Sequence, residues 1–371
     1  MPEPLKNLYS KNFIETLATD ISKVYSQFNS KEFITNVLEQ GWKDKELKER
    51  MRHITICLKK FLPEDYTKAV SILVKTTKLH RKKTALTEKI DFCDLVFPDF
   101  VEVYGLDDYE VSIPALEEFT KISSSESAIR HFIIRYPEKT MKQMLFWAKN
   151  PNHKVRRLAS EGSRPRLPWT IALNAYKKDP TPILPILEIL KEDSSLYVRR
   201  SVANNLNDIS KDNPEIVLQL AQKWIGKNED TNWILKHACR GLLKKGNPTA
   251  LKIFGFNVEA KKIEVNHLSL KKDKIKIGET LFFSFDLFLK EKKGKKLRLE
   301  YAIDYVKSNG KLSRKVFILT EKEFQPETNY SFHRKQSFRD MTTRVHYTGT
   351  HSLTILINGL EYQSIQFEVI R

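Results

Sequence analysis

The chain has 371 residues, with 64 Lys or Arg against 46 Asp or Glu, so its formal net charge at pH 7 is +18. Such an excess indicates a polyanionic partner, and nucleic acid is favoured over a membrane surface because the sequence has no run of about 18 apolar residues. The opening MPEPL lacks the basic and apolar regions of a secretion signal, which predicts a cytoplasmic, nucleoid-associated protein.

The N-terminal part of the chain has a helical pattern. Apolar residues at three- and four-residue spacing predict helices over 12–28, 31–38, 44–61 and 63–79, with Ser10, Ser30 and Asp44 available as N-caps. The aromatic and acidic stretch 91–110 predicts a further helix that leads into the segment around Pro114.

One phrase then recurs. HKVRRLASEG at 153–162 returns as YVRRSVANNL at 197–206 and, degraded, as WILKHACRGL at 233–242. Aligned on Val155, Val198 and Ile234, the copies lie 43 and 36 residues apart, near the period of paired-helix HEAT-type repeats. Stacked repeats form a solenoid with a concave groove. The predicted helix pairs are 123–136 with 138–147, 154–162 with 182–190, 197–209 with 214–224, and 233–243 with 248–254.

A polar stripe accompanies the apolar stripe of each repeat at four-residue spacing. A scaffold stabilised only by packing has no need of a cation at the same place in every unit, so the stripe predicts a basic groove surface with carboxylates set inside it. Its members are Arg157 and Glu161, then Arg200, Asn204 and Asp208, then Lys236 and Arg240.

The connection 163–180 interrupts the regular spacing of the repeats. It reads SRPRLPWTIALNAYKKDP, far longer than a normal turn within a repeat. Long loops in compact folds are functional or disordered, and this one places a Trp beside Pro and Arg. We interpret it as functional.

After residue 255 the period changes to that of strands. Seven runs, at 263–270, 279–289, 296–305, 315–319, 330–333, 349–357 and 361–370, predict an immunoglobulin-like sandwich. We therefore expect a helical-repeat domain over 1–255 and a β-sandwich over 256–371, mostly α overall. The sandwich segment carries 22 Lys or Arg against 14 Asp or Glu, which predicts an auxiliary DNA-binding domain.

The cysteines and histidines do not form metal-site patterns. Cys57, Cys93 and Cys239 are scattered, with no CxxC motif and no Cys/His set at zinc-site spacing, which argues against zinc and against a disulfide framework. We expect a protein without metal or cofactor.

Three segments carry a family resemblance. They are SSSESAIR around Glu126, RRLASEGSRPRLPW from Arg156 to Trp169, and ANNLND ending at Asp208. With these, the chain resembles the HEAT-like-repeat alkylpurine DNA glycosylases, specifically the AlkC branch of the AlkC/AlkD superfamily. The opening EPLKNLY and the basic β-sandwich also look like that branch, so the resemblance covers nearly the whole chain.

The resemblance implies a monofunctional DNA-repair glycosylase that excises cationic alkylated bases of the 3-methylcytosine, 1-methyladenine and 3-methyladenine class from duplex DNA, without base flipping. A base alkylated on a ring nitrogen is already a good leaving group, so carboxylates that stabilise an oxocarbenium-like sugar and position water suffice. The implied catalytic residues are Glu161, Asp208, Glu126 and Trp169, whose ring face suits a sugar cation. A monomer is expected, with DNA contacts from Arg157, Arg164, Arg166, Lys154, Arg200, Asn204, Lys236 and Arg240.

Simpler interpretations remain at this stage. Arg157 and Glu161, four residues apart, form an ordinary surface ion pair in many helices, Trp169 after Pro is typical of a loop anchor packed in a core, and Asp208 is a helix-end residue. The alternative function is a non-catalytic basic HEAT scaffold that holds nucleic acid or an acidic protein. An RNA-directed protein ranks last, because no RNP, KH or double-stranded-RNA signature is present.

Overall fold

The computed structural model describes residues 3–84, 92–256, 259, 262–341 and 344–371. In this part of the chain, 16 α-helices precede eight β-strands. The chain divides into two compact units, Met1–Asn213 with Gly226–Ala238, and Pro214–Ile225 with Cys239–Arg371. The prediction of a mostly helical chain with a β-structured C-terminal part is confirmed.

The regular elements described in the first unit are all helices. Its helices are α1 (Lys11–Val24), α2 (Ser30–Val37), α3 (Leu47–Phe61), α4 (Tyr66–Thr84), α5 (Val96–Tyr104), α6 (Tyr109–Thr120), α7 (Ala128–Arg135), α8 (Pro137–Trp147), α9 (His153–Gly162), α10 (Asn174–Lys178), α11 (Leu184–Leu190), α12 (Leu196–Asp212) and α14 (Glu229–Ala238). The second unit begins with α13 (Pro214–Trp224), α15 (Arg240–Lys244) and α16 (Pro248–Ile253).

The N-caps were predicted correctly for one helix of three. The Ser10 side chain accepts a hydrogen bond from the Phe13 N–H at 3.2 Å and caps α1. For α2 the cap is Asn29, one residue before Ser30, and it accepts from the Glu32 N–H. For α3 it is Glu46 rather than Asp44, because Glu49 accepts the Glu46 N–H at 2.7 Å in a reciprocal capping box.

Two predicted helices are interrupted. The stretch 91–110, of which Asp91 lies outside the described residues, contains a break between α5 and α6. At this break a Cβ on Gly105 would lie 2.0 Å from the Tyr66 hydroxyl oxygen, so the close approach requires a glycine. The helix predicted over 233–243 is divided at Cys239 into α14 and α15.

The aligned positions of the three repeat copies lie on helices α9, α12 and α14. These helices lie side by side, with α12 between the other two. Val155, Val198 and Ile234 are each fully buried, and burying such a side chain is worth about 1.5–3 kcal/mol. The α9–α12 contact also has polar links, because Asn205 donates to the Ser160 carbonyl at 2.8 Å. These bonds fix how α12 lies against α9, and so where Asp208 lies relative to Glu161.

The second unit contains a β-sandwich. Its strands are β1 (Ile263–Leu270), β2 (Lys274–Lys276), β3 (Thr280–Leu289), β4 (Lys295–Val306), β5 (Leu312–Phe324), β6 (Asn329–Ser337), β7 (Gly349–Ile357) and β8 (Leu360–Ile370). One sheet has the order β1-β3-β6 and the other β2-β8-β7-β4-β5. Alternate residues of β3, such as Phe283, Phe285 and Leu287, are buried in the core between the sheets.

Strand β2 is absent from the sequence prediction. It has three residues and pairs in parallel with β8, with Ile275 opposite Val369. Three residues are too few for an alternating pattern to be recognised, so only the partner strand makes the segment extended.

All three cysteines are buried, and none forms a disulfide. Burial raises the pKa of the Cys57 thiol, so the thiolate is disfavoured there. Within the described ranges no helix is both long and apolar enough to cross a bilayer.

Candidate active site

Glu161 lies in the last turn of α9, one of the three equivalent helices of the repeats. Its neighbour Gly162 allows the end of α9 to approach α7, since a Cβ there would lie 2.6 Å from Cγ2 of Ile129. The Glu161 side chain is 7 % exposed, and a carboxylate so buried needs charged or hydrogen-bonding partners.

Arg164 supplies those partners by bridging two carboxylates. Its Nη1 donates to Oε1 of Glu161 at 2.6 Å, and its Nε donates to Oδ2 of Asp208 at 2.8 Å. Lys211, three residues after Asp208, donates to the other oxygen, Oδ1, at 2.9 Å. Burial by itself would lower the pKa of Arg164, but the Glu161 and Asp208 carboxylates outweigh it and raise the pKa. The cluster therefore holds two acids in fixed positions.

Arg157 forms a second link between the acids. Its Nη1 donates to Oε2 of Glu126 at 2.5 Å, and its Nη2 lies 3.6 Å from Oε1 of Glu161. The guanidinium also lies 4.5 Å from the ring centre of Tyr197. Burial opposes the charge of Arg157, yet Glu126 and Glu161 raise its pKa. The pair Arg157 and Glu161 is thus part of a buried network rather than the solvated surface pair that the spacing alone favours.

The oxygens of the three acids differ in what they bind. Both oxygens of Asp208 have cationic donors. Glu161 accepts a hydrogen bond through Oε1. Glu126 accepts hydrogen bonds through Oε2, including one of 2.5 Å from the Ser124 hydroxyl. Among the described residues, neither Oε2 of Glu161 nor Oε1 of Glu126 accepts a hydrogen bond. Each glutamate therefore has one oxygen available for a water molecule or a sugar.

Trp169 is a surface residue, 66 % exposed, so the interpretation as a buried loop anchor is wrong. Its φ is +65°, a left-handed conformation that costs a bulky residue about 1–3 kcal/mol. Two contacts maintain it: Lys48 donates to the Trp169 carbonyl, and the hydroxyls of Thr170 and Ser127 lie 2.9 Å apart. A large apolar ring held in solvent in this way suggests a ligand that covers it.

Arg130 on α7 is a residue that the sequence reasoning missed. It is 0 % exposed, and it donates to the carbonyls of Gly162 at 3.1 Å, Arg164 at 2.7 Å and Ile171 at 2.6 Å. Burial, followed by the nearby Arg164 cation, lowers the pKa of Arg130 to about 10, so it stays protonated at pH 7. Because Arg130 follows Glu126 by four residues, the sequence alone favours a surface ion pair between them and does not indicate this role.

The chain is similar to known proteins over its C-terminal part and over nearly its whole length. A family model described as the C-terminal Ig-like domain of the uncharacterised protein YhaZ matches residues 264–371. The chain is 45% identical to YhaZ of Bacillus subtilis (strain 168) over 365 residues, 98% of this chain and 99% of that protein. The Pseudomonas fluorescens alkylpurine DNA glycosylase AlkC, solved bound to DNA containing an abasic site analog, aligns over 100% of both chains with a TM-score of 0.92 and 38% identity.

The chain belongs to the AlkC branch of the AlkC/AlkD superfamily. This confirms the family suggested by the segment from Arg156 to Trp169. It also confirms the HEAT-like repeats followed by an immunoglobulin-like domain.

The other residues predicted to contact DNA have varied surroundings, and their role stays a prediction. Arg166 pairs with Asp212 through two bonds of 3.0 and 2.6 Å, and Lys154 donates to the Lys121 carbonyl. Arg200 is exposed on α12, whose Asn204 contacts His237 at 3.2 Å. Lys236 lies on α14, and Arg240 begins α15 in the second unit.

Proposed function

We propose that this chain is a monofunctional DNA-repair glycosylase that hydrolyses the N-glycosidic bond of cationic alkylated bases in duplex DNA without base flipping. The observation that carries the proposal is the cluster of Glu161, Asp208 and Glu126, held by Arg164 and Arg157, in a chain of the AlkC branch. A non-catalytic scaffold gains nothing from three carboxylates inside a DNA-binding surface.

The chemistry assigns different roles to the acids. The C1′–N bond breaks with its electron pair passing to the base, which neutralises the positive charge of that base. The sugar becomes oxocarbenium-like, and fixed carboxylates stabilise it in a site that excludes much of the water. Asp208, with both oxygens occupied, acts only through its charge. A water that Glu161 orients through Oε2 then bonds to C1′ and gives its proton to that carboxylate.

The other contacts prepare the same step. Trp169 lays its ring against the deoxyribose, where its electron-rich face favours the developing positive charge. Arg157 and Arg164 offset the negative charge of the DNA near the carboxylates and contact the phosphates that flank the lesion. The chain acts as a monomer on double-stranded DNA, with further phosphate contacts from Arg166, Lys154, Arg200, Asn204, Lys236 and Arg240.

Release of free base from defined duplexes tests this function. We expect excision of 3-methylcytosine, 1-methyladenine and 3-methyladenine, and no excision of uracil or hypoxanthine, because carboxylates that stabilise a sugar cation do not protonate a poor leaving group. Chromatography of the released bases from each duplex under single-turnover conditions measures this. Efficient release of uracil would reveal a general acid and contradict the mechanism.

The second unit offers a surface for additional DNA contact. A cleft of about 640 Å³ on the β1-β3-β6 sheet contains Lys271, Arg334 and Lys335 and no carboxylate among its nine lining residues. Phe282 lies at its surface, with the Lys271 ammonium 5.7 Å from the ring centre. Cations beside an exposed aromatic ring suit a nucleic-acid backbone with a base or sugar stacked on the ring.

Changing Lys271, Arg334 and Lys335 together to Ala is expected to weaken DNA binding. Each lost phosphate contact lowers the slope of log K against log salt by about 0.9, so the slope should become shallower by about 2 to 3. Fluorescence anisotropy over a series of salt concentrations measures it. The matched control removes three cations already paired within the same unit, Lys274, Lys290 and Arg314, and should change the slope less. Equal slopes for both variants would remove this cleft from DNA binding.

A further inference from the structure

A deep cleft lies beside the proposed active site, within the first unit. It has a volume of about 720 Å³, and its walls come from α3, α5 and the start of α7. Glu126, Arg157 and Trp169 line it together with residues that the glycosylase chemistry does not use. A molecule inside this cleft would therefore touch residues of the proposed catalytic cluster.

Taken together, the charges of the cleft give a free phosphate no net attraction. In a chain with a net charge of +18, the lining has four cations and four carboxylates. Arg52 lies between two of these acids, donating to Asp99 at 2.9 Å and to Glu102 at 2.8 Å. The burial of an anion here would lack the excess positive charge that nucleic-acid backbones require. The cations are Lys45, Lys48, Arg52 and Arg157, and the acids are Glu49, Asp99, Glu102 and Glu126.

The remaining lining suits a flat, uncharged ring. Ile56 is 43 % exposed on α3, and Met51, Pro98 and Leu167 add apolar surface beside the Trp169 ring. Clefts of about 300–1,000 Å³ with an apolar lining and a few polar groups are the usual sites for small molecules. Heteroaromatic bases combine an apolar face with hydrogen-bonding edges, and the Glu126 and Glu102 carboxylates accept hydrogen bonds from such edges.

The proposed reaction produces a ligand of this kind. Bond cleavage returns the electron pair of the C1′–N bond to the alkylated base, so the base leaves as a neutral molecule. We propose that the cleft binds the released methylated base, retaining it beside the site after cleavage. This inference rests on the proposed glycosylase function, and it adds a product site that the hydrolysis itself does not require.

Binding of free 3-methyladenine to the full chain without DNA tests the inference. Calorimetry should detect 3-methyladenine, and adenosine monophosphate should bind at least tenfold more weakly because the cleft has no excess positive charge. Ile56→Glu should lower the affinity for 3-methyladenine at least tenfold while leaving single-turnover excision unchanged. Ile134→Glu is the matched control, since Ile134 is also exposed and lies outside the cleft.

The outcomes separate this inference from the proposed function. Binding of 3-methyladenine by a chain that excises no base would support the cleft and contradict the glycosylase. Excision without detectable binding at millimolar 3-methyladenine would overturn the product site alone. Equal affinity of the Ile56→Glu and wild-type chains, or preference for adenosine monophosphate, would also overturn it. Added 3-methyladenine should inhibit multiple turnover in the wild type and in Ile134→Glu, but not in Ile56→Glu.

Discussion

Glu161→Gln is expected to lower single-turnover base release by about 10³-fold, the effect of removing one preorganised electrostatic group from an active site. The amide keeps the size of the side chain and an oxygen that accepts the 2.6 Å hydrogen bond from Arg164. In the proposed mechanism it removes the negative charge that stabilises the sugar cation and the general base that takes a proton from the attacking water. Rates of base release from a 3-methylcytosine duplex, with saturating protein, measure the change.

Binding and a control variant make this prediction specific. Affinity for a duplex with an uncleavable lesion analogue should stay within about threefold of wild type, a difference below 1 kcal/mol. Glu188→Gln is the matched control, because Glu188 lies on α11 in the same repeat and pairs with Lys191, the residue that follows this helix. Wild-type excision by Glu161→Gln would remove this carboxylate from the mechanism.

Arg130→Met is expected to lower both the stability and the excision rate. Three carbonyls lose their donor, and the loss of a buried charged partner typically costs about 3 kcal/mol or more. The segment after α9 then loses its attachment to α7, so Arg164 and Trp169 are displaced from their positions. Misplacement of about 1 Å typically costs about 10²-fold in rate. Thermal unfolding and rates at saturating DNA measure the two effects.

Further variants distinguish positioning from stability. Arg130→Lys keeps the charge but cannot reach three carbonyls at once, so its rate should be intermediate. Arg135→Met, on the same helix, removes an exposed Arg that pairs with Asp107 and should leave stability nearly unchanged, because exposed ion pairs contribute little. Rates must be compared at a temperature where every variant is folded. A wild-type rate at saturation for folded Arg130→Met would show that Arg130 only stabilises the fold.

The sequence was sufficient to predict those helices and strands in which apolar residues recur at a helical or an alternating spacing. Val155, Val198 and Ile234 occupy equivalent buried positions because the helical period fixes which face packs. The predicted seven strands all exist, since each is long enough to alternate. The three-residue β2 is specified instead by a partner about 90 residues later in the chain, and no local pattern can show such a pairing.

The candidate site likewise contains residues that the sequence predicted and residues that it did not. The predicted Glu161 and Asp208 lie on either side of Arg164, because four-residue spacing within repeats places polar residues on one face. Arg130 could not be predicted, since its partners are backbone carbonyls 32 to 41 residues away. The exposure of Trp169 depends on a positive φ that neither Pro168 nor Trp169 favours by itself. Backbone geometry imposed by distant contacts carries no signature in residue types.

The burial of the three thiols also limits their reaction with methylating reagents. Reagents that methylate ring nitrogens of DNA also methylate sulfur, and the thiolate is the reactive form. Cys57, Cys93 and Cys239 are all buried, so such reagents have little access to them, and the raised pKa of Cys57 further disfavours its thiolate. We expect the folded chain to survive the chemical conditions that create the substrates proposed for it, and to lose this resistance when it unfolds.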